Sequence, residues 1–337
     1  AQYLITLTVY RDCNGINLSQ SNMVARCSST TLNITNQTKV SVRDITKVPN
    51  SCGVVSRCAG GASQYGTEEH VWTMTLDLST YSCCEWQLSW EQCCRNGAIT
   101  TGAANQNMYI TAMLNKCVTA CNNSPEFNSK VGEQVLVCHN WDQTLDFSAT
   151  DSADNDSLSY HLVSAKTGLN SSVTYNGNFT FERPMTFFGF PNQNLQWPAG
   201  FRLDPATGIL RFRPTQVNQI GIIAVEVREW RLVNGSMMQI GSIVVDLQVR
   251  VIPCPNNNQA PRIKSPISAR VCAGNKICIP IQTEDDNLND TVRISWNQLL
   301  PGATFTHNNG VKRLASGEVC WTPDTSFIRQ AGHAFKV

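Results

Sequence analysis

The stretch from Cys83 to Cys94 constrains the fold more than any other part of the sequence. It carries a Cys-Cys pair at each end, and apolar and polar residues alternate between the pairs, which is the period of a half-buried strand. Trp86, Leu88 and Trp90 share one face of that strand. Adjacent cysteines on an extended strand point to opposite faces, so the members of each pair are predicted to bond elsewhere rather than to each other. We therefore predict the core strand of a β-sandwich, with all four cysteines oxidised.

The cysteine count and the charge indicate the compartment. The chain has fifteen cysteines, a net charge of +1 and only 15% charged residues. So many cysteines favour an oxidising compartment, and we predict a protein that is located outside the cytoplasm. The low charge gives no electrostatic surface for nucleic acid. No apolar run reaches the roughly 18 residues that span a bilayer, so no membrane span is expected.

The fold class is predicted as all-β, because helical periodicity is nearly absent and Asn-Gly turns separate short β-rich runs. We expect three tandem immunoglobulin-like β-sandwich domains that are stapled by disulfides. Residues 1–121 form a Cys-rich sandwich, residues 122–255 an immunoglobulin- or cadherin-like repeat, and residues 256–337 a second such repeat that is incomplete at its C-terminus.

The second and third domains repeat each other. Each begins with an Asn cluster and then a proline, which is typical of a short linker. An offset of 134 residues carries Val137-Cys138 onto Val271-Cys272 and Asp151 onto Asp285, and it also carries Asn155-Asp156 onto Asn289-Asp290. Matches at one offset indicate tandem repetition.

This repetition suggests a disulfide scheme. In an immunoglobulin-type sandwich the second half of the first strand runs parallel to the last strand, so we pair Cys138 with Cys254. Cys272 then needs a partner beyond Val337, and Cys278 pairs with Cys320. The first domain has an even number of cysteines that are expected to pair among themselves in an order the sequence does not give: Cys13, Cys27, Cys52, Cys58, Cys83, Cys84, Cys93, Cys94, Cys117 and Cys121.

Three blocks of the chain, Tyr3–Ile16, His70–Thr100 and Phe201–Arg213, resemble large secreted surface proteins of the Bacteroidota that carry immunoglobulin-like repeats. Many such proteins end in a domain associated with gliding motility or with type 9 secretion. The resemblance implies a secreted adhesin or filament protein at the cell surface. Its expected partners are further repeats or other copies of itself, and surface glycans. It also implies O-glycosylation at short Asp-Ser/Thr motifs, which places candidate sites at Ser152, Ser157 and Thr291.

Two acidic loops are candidate calcium sites. Both resemble the Asp-rich loops of cadherin-like repeats, and closely spaced carboxylates suit a hard, oxygen-seeking cation. The alternative is a solvated turn in which Asp and Asn side chains bond their own backbone. The candidate ligands are Asp151, Asp154, Asp156, Asp285, Asp286 and Asp290.

An aromatic segment, Phe179–Phe201, is a candidate ligand-binding loop. Phe188, Phe190 and Trp197 could stack on a sugar or on a partner protein. Alternatively the rings cap the open end of the sandwich, which we favour because large exposed apolar patches are uncommon.

Other sites receive less support. The cysteine spacings contain no paired C-x2-C knuckles, so zinc is rejected, and no nucleophile or acid–base constellation indicates an enzyme. The strand that begins near Tyr3 could complete a neighbouring subunit, or it is an ordinary first strand. We predict a non-enzymatic structural and adhesive segment. The alternatives are a carbohydrate-binding module that uses the aromatic segment, or accessory domains of a secreted hydrolase.

Overall fold

The computed structural model describes residues 1–18, 23–48, 55–119, 121–254, 261–264, 269–285, 287–296 and 300–327. The chain divides into two compact units, residues 1–254 and 255–337. All regular structure in the described residues is β apart from short 3-10 turns at Arg57–Ala59, Val131–Gln134 and Thr325–Phe327. The all-β prediction is confirmed.

Unit 1–254 contains eighteen strands among its described residues. They are β1 Gln2–Asp12, β2 Met23–Cys27, β3 Thr30–Ile34, β4 Thr38–Asp44, β5 Thr67–Asp77, β6 Glu85–Gln92, β7 Met108–Asn115, β8 Glu126–Phe127, β9 Leu136–Cys138, β10 Gln143–Asp146, β11 Ala149–Thr150, β12 Ser157–Leu162, β13 Lys166–Gly168, β14 Ser171–Ser172, β15 Phe201–Leu203, β16 Ile209–Phe212, β17 Ile220–Val233 and β18 Ser236–Ile252.

The first sandwich has the Cys83–Cys94 stretch at its centre, as predicted. The sheet β1-β5-β4 faces the strands β3-β2-β6-β7, and side chains from both form one hydrophobic core. Trp86, Leu88 and Trp90 of β6 are buried there, and they meet Trp72 and Met74 of β5. Alternation along β6 therefore sends its large apolar side chains into the space between two sheets.

The second sandwich follows the immunoglobulin pattern that motivated the Cys138–Cys254 pairing. The sheet β10-β16-β15 packs on the strands β12-β17-β18, with Phe147, Phe201 and Phe212 among the buried core. β9 adds to β18 in parallel, and this register sets Cys138 opposite Ile252. Asn234-Gly235 forms the two-residue turn of the β17–β18 hairpin with positive φ at both residues, which matches the right-handed twist of the strands.

The two sandwiches share one sheet. β7 pairs antiparallel with β18, so that Leu114 lies opposite Gly241 and Ala112 opposite Ile243. The strands β12-β17-β18-β7-β6-β2-β3 are consequently continuous. The boundary predicted at 121/122 separates two hydrophobic clusters, but it lies inside one compact unit.

Unit 255–337 pairs three of its strands in the same order as the sheet β10-β16-β15 of the second sandwich. Its described strands are β19 Arg262–Ile263, β20 Ile277–Glu284, β21 Thr291–Val292, β22 Thr304–His307, β23 Val311–Lys312 and β24 Ser316–Trp321. β20 pairs with β24 and β24 with β22, as β10 pairs with β16 and β16 with β15. The two regions therefore share the pairing of these three strands as well as sequence matches.

Six disulfides lie within the described residues: Cys13–Cys58, Cys27–Cys83, Cys84–Cys117, Cys93–Cys94, Cys138–Cys254 and Cys278–Cys320. The last two are the pairs proposed from the repeat. Cys83 and Cys84 bond to distant cysteines, as predicted, although they lie just before β6, which begins at Glu85. The same prediction is wrong for Cys93 and Cys94, which bond to each other. β6 ends at Gln92, so this pair lies beyond the extended strand and the rule of opposite faces does not apply to it.

Two further cysteines, Cys121 and Cys272, are exposed and form no bridge among the described residues. Several predictions fall on residues outside the described ranges: the pairing of Cys52, the calcium ligand Asp286, the linker at 256–260 and the incomplete C-terminus at 332–337.

Candidate functional site at the junction of the two sandwiches

A loop of the first sandwich covers the outer face of the second. Residues 95–106, the junction loop, follow the Cys93–Cys94 pair. The Thr100 amide donates to the Ile220 carbonyl at 3.0 Å, and the Ala103 amide donates to the Thr174 carbonyl at 2.9 Å. Ile99 and Ala103 are buried with Ile222 in a hydrophobic cluster of their own. The loop is therefore packed as a part of the second sandwich.

A buried ion pair closes the junction loop onto the shared sheet. Arg95 donates from its two terminal nitrogens to the two carboxylate oxygens of Asp246 on β18, at 2.8 and 2.7 Å. One of these nitrogens also donates to the Lys166 carbonyl at 3.1 Å. The side chains of Arg95 and Asp246 are only 5% and 2% exposed. A two-pronged pair this deeply buried fixes the loop in one position, because breaking it would leave a charge without water.

The first sandwich also meets the 3-10 turn Val131–Gln134. A Cβ added at Gly132 would overlap the Tyr10 ring, so glycine is required for this close approach. Lys47 forms an ion pair with Glu133 of the same turn. Burial against this surface raises the pKa of Tyr10 to about 12.

The predicted calcium loop of the second sandwich lies beside the start of that domain. Asp151, Asp154 and Asp156 each offer a carboxylate oxygen within 4.8 Å of the others. Glu229 on β17 is 1% exposed, and its carboxylate accepts a hydrogen bond from the Asn122 amide at 2.5 Å. We call these four carboxylates the acidic cluster.

The guanidinium of Arg231 forms hydrogen bonds with the acidic cluster and with the linker beside it. Arg231 donates to both oxygens of Asp156 at 2.6 Å and to the Asn122 side-chain oxygen at 3.2 Å. The backbone amide of Asn123 donates to Asp154 at 2.5 Å. The acidic cluster thus holds Asn122 and Asn123, the predicted linker, against the second sandwich.

The charges in the acidic cluster are incompletely balanced. Burial above all, together with the three neighbouring aspartates, raises the pKa of Glu229 to about 7, and the Asn122 hydrogen bond opposes this rise. Burial also raises the pKa of the Asp151 carboxyl. Glu229 packs so closely on β18 that a Cβ at Gly241 would overlap its carboxylate. Proton uptake or a cation would relieve the repulsion among these groups.

The two candidate calcium loops differ from one another in their surroundings. In the first, Asp151 accepts amide hydrogen bonds from Asp154 and Asp156 at 3.1 Å, as an Asx-type turn does. In the second, Asp285 is buried and accepts from the Asn287 amide at 2.8 Å, while Asp290 accepts from the Asn287 side chain. Calcium binding at either loop stays a prediction.

The aromatic segment divides between the core and the surface. Phe187 and Phe201 belong to the core of the second sandwich, and Phe190 packs edge-on against Phe187 with the ring centroids 5.4 Å apart. Phe188 and Trp197 remain 47% and 40% exposed. A core role therefore accounts for part of the segment, and two rings stay available to a ligand.

Polar groups lie beside the exposed Phe188. The guanidinium of Arg213 stands over its ring at 5.6 Å, and Arg213 donates to Asp142 at 2.6 Å. The loop itself is closed by hydrogen bonds from the Phe188 amide to the Arg213 carbonyl and from the Gly200 amide to the Phe188 carbonyl. A fixed ring beside a charged pair can stack on a sugar and hydrogen-bond its hydroxyls.

The candidate O-glycosylation residues differ in access. Ser152 and Thr291 are exposed, whereas Ser157 is half-buried at the start of β12. Modification at these residues stays a prediction.

The sequence interpretation missed Arg95 and Glu229. A signal for Glu229 existed, because Val225, Val227 and Glu229 share the apolar face of an alternating strand, where a carboxylate is out of place. Arg95 is a single loop residue without periodicity, and its partner is 151 residues away.

Comparisons with known proteins do not identify the chain. No protein-family model matches it, and no curated protein matches it. Among solved structures, a marsupial T cell receptor aligns over 96% of this chain and 92% of its own, with 11% sequence identity and a TM-score of 0.19. A superposition at that score supports no inference about fold or function.

Proposed function

We propose that the chain is a non-enzymatic structural segment of a long extracellular adhesin or filament, of the kind exported to the surface of Bacteroidota cells. The six disulfides of the described residues indicate an oxidising compartment outside the cytoplasm. No helix within the described ranges has the length and apolar character needed to cross a membrane.

The observation that carries this proposal is the continuous sheet across the two sandwiches. Hydrogen bonds between β7 and β18 are reinforced by the junction loop and by the Arg95–Asp246 pair. Tandem domains joined only by a linker swing relative to one another, whereas a shared sheet transmits load from one core to the next. A rigid double sandwich suits a shaft that holds binding domains away from a cell.

Two experiments test this proposal. Antibody labelling of intact cells that encode the chain is expected to stain the surface, and deletion of its gene is expected to reduce attachment. Urea denaturation of the full chain, followed by hydrogen exchange, is expected to show residues 1–254 unfolding as one event. Separate events for residues 1–121 and 122–254, or an absence of surface staining, contradict the proposal.

A second candidate function is carbohydrate binding, which the exposed Phe188 and Trp197 favour. Glycan-array binding by the full chain, lost in Trp197→Ala and kept in Leu232→Ala, would support it. Leu232 is the matched control, because it is an exposed apolar side chain on β17. Equal binding by the two variants would contradict it. A role beside the catalytic domain of a secreted hydrolase stays a prediction.

A further inference from the structure

The bridge between Cys93 and Cys94 differs from the other disulfides in its exposure. It is the one bridge in the described part of the chain whose two cysteines are both exposed. In each of the other five at least one cysteine is buried or half-buried. Thiol–disulfide exchange requires access to a sulfur atom, and exposed bridges are the labile ones.

The same bridge contributes little to holding distant segments together. The other five join cysteines that are 33 to 116 residues apart, whereas Cys93 and Cys94 are neighbours. Since the stabilisation from loop closure grows with the length of the closed loop, this bridge is the least able to stabilise the whole fold. Its effect is confined to the chain between Gln92, where β6 ends, and Arg95.

That short connection positions the junction loop. Arg95 follows Cys94 directly and forms the buried ion pair with Asp246 of β18. Greater backbone motion at Cys93 and Cys94 therefore also moves Arg95, whose guanidinium closes the loop. Thr100 and Ala103, further along the same loop, donate hydrogen bonds to the second sandwich.

We propose that Cys93–Cys94 is a reversible redox site whose reaction partner is a dithiol, and that its reduction loosens the junction loop. One thiolate of the dithiol attacks one of the two sulfurs, the Cys93–Cys94 bond breaks, and a mixed disulfide forms. The second thiol of the partner then attacks the partner's own sulfur in the mixed disulfide, which breaks that bond and releases the protein as a dithiol. Cys93 and Cys94 gain two electrons and two protons, and the partner leaves as a disulfide.

The test is graded reduction of the full chain followed by mass spectrometry. Free thiols are first blocked with N-ethylmaleimide, the protein is then treated with increasing dithiothreitol, and newly formed thiols are labelled with iodoacetamide. Cys93 and Cys94 are expected to be labelled at a lower dithiothreitol concentration than Cys27, Cys83 or Cys138. Labelling of Cys93 and Cys94 together with or after those cysteines overturns the proposal.

Hydrogen exchange on the selectively reduced protein tests the second half of the proposal. Backbone amides of residues 95–106 are expected to exchange at least about tenfold faster, while those of β5 keep their protection. Unchanged exchange in the junction loop shows that the bridge is not a switch, and this outcome also overturns the proposal.

Two variants provide controls. Cys93→Ser/Cys94→Ser is expected to show the fast junction loop without reductant and no further response to dithiothreitol. Cys278→Ser/Cys320→Ser removes a bridge of unit 255–337 and is expected to leave residues 95–106 as in the wild type. If the first variant fails to fold, the labelling order and the exchange of the reduced wild type still decide the matter.

Discussion

Two boundaries look alike in the sequence, but one lies inside a compact unit of the structure and the other lies where a second unit begins. Asn122–Pro125 and Asn256–Pro261 are both Asn clusters followed by a proline. The first lies within a single compact unit, whereas residue 255 begins a separate one. The composition of a linker therefore does not determine whether its neighbours belong to one compact unit. Contacts between residues far apart in the chain decide it, and at the first boundary these are the β7–β18 pairing, the junction loop and the acidic cluster.

The largest effect is expected from breaking the buried pair at the first boundary. Arg95→Met leaves Asp246 buried without its counter-charge, and we expect the unfolding free energy of unit 1–254 to fall by about 3–5 kcal/mol. Urea denaturation followed by tryptophan fluorescence measures this change. Arg213→Met, at the partly exposed pair with Asp142, is the matched control and should cost about 1 kcal/mol or less. Equal losses in the two variants would show that Arg95 does not close the junction.

A double variant sharpens this first test. Arg95→Met/Asp246→Leu replaces the pair with apolar side chains of similar size, so most of the lost stability is expected to return. A double variant that is as unstable as Arg95→Met would mean that the geometry of the pair matters more than its charge balance.

The acidic cluster is expected to make the first boundary sensitive to pH. The pKa of Glu229 is about 7 in the folded protein, against an ordinary value of 4.5. Folding therefore favours the protonated form, so this group lowers the unfolding free energy as pH rises from about 4.5 to about 7, and its cost is greatest above that window. The whole cost is about 3 kcal/mol at most.

Glu229→Gln removes this titration while keeping an acceptor for Asn122. In the presence of EDTA, the unfolding free energy of the variant is expected to be higher than that of the wild type at pH 8. The two values are expected to be equal near pH 4. Chemical denaturation at both pH values provides the comparison. A difference that is the same at pH 4 and pH 8 would exclude Glu229 as the titrating group.

A smaller effect is expected where the 3-10 turn meets Tyr10. Gly132→Ala places a methyl group against the Tyr10 ring and should lower the unfolding free energy by about 1–3 kcal/mol. Gly168→Ala is the control, because its Cβ would lie 3.7 Å from the nearest heavy atom, Ser171 Oγ. Thermal unfolding that is equally affected in both variants would argue against a tight contact at Gly132.

Calcium is expected to give the smallest change. If Asp151, Asp154 and Asp156 bind the ion, calcium at ten times its Kd should stabilise the chain by about 1.4 kcal/mol. Asp154→Asn is expected to abolish the gain, and Asp204→Asn, in a surface turn, should retain it. A melting temperature that calcium leaves unchanged in the wild type removes the calcium prediction.

The sequence predicts this fold well where the pattern is local. The alternation in β1, β5, β6 and β7 marks those strands, and the 134-residue offset relates the second sandwich to unit 255–337. Asn234-Gly235 marks the long hairpin because a turn of two residues with positive φ needs such residues.

Long-range pairings could not be predicted in the same way. β7 and β18 pair across more than a hundred residues, and no sequence pattern specifies an edge-to-edge register between two sandwiches. The acidic loop could be located by its composition, but Glu229 joins it only through the fold. Arg95 lacked any pattern, since its burial depends on the strand that it meets.

The most direct test of coupling across the first boundary is native-state hydrogen exchange of the full chain in increasing urea. It compares the amides of Trp86 and Leu88 in β6 with those of Val225 and Val227 in β17. A continuous sheet requires the two cores to open together, so both sets should reach the same opening free energy and lose protection at the same urea concentration. Loss of protection in β6 at one urea concentration and in β17 at a clearly different one would contradict the account, because the sandwiches would then unfold independently.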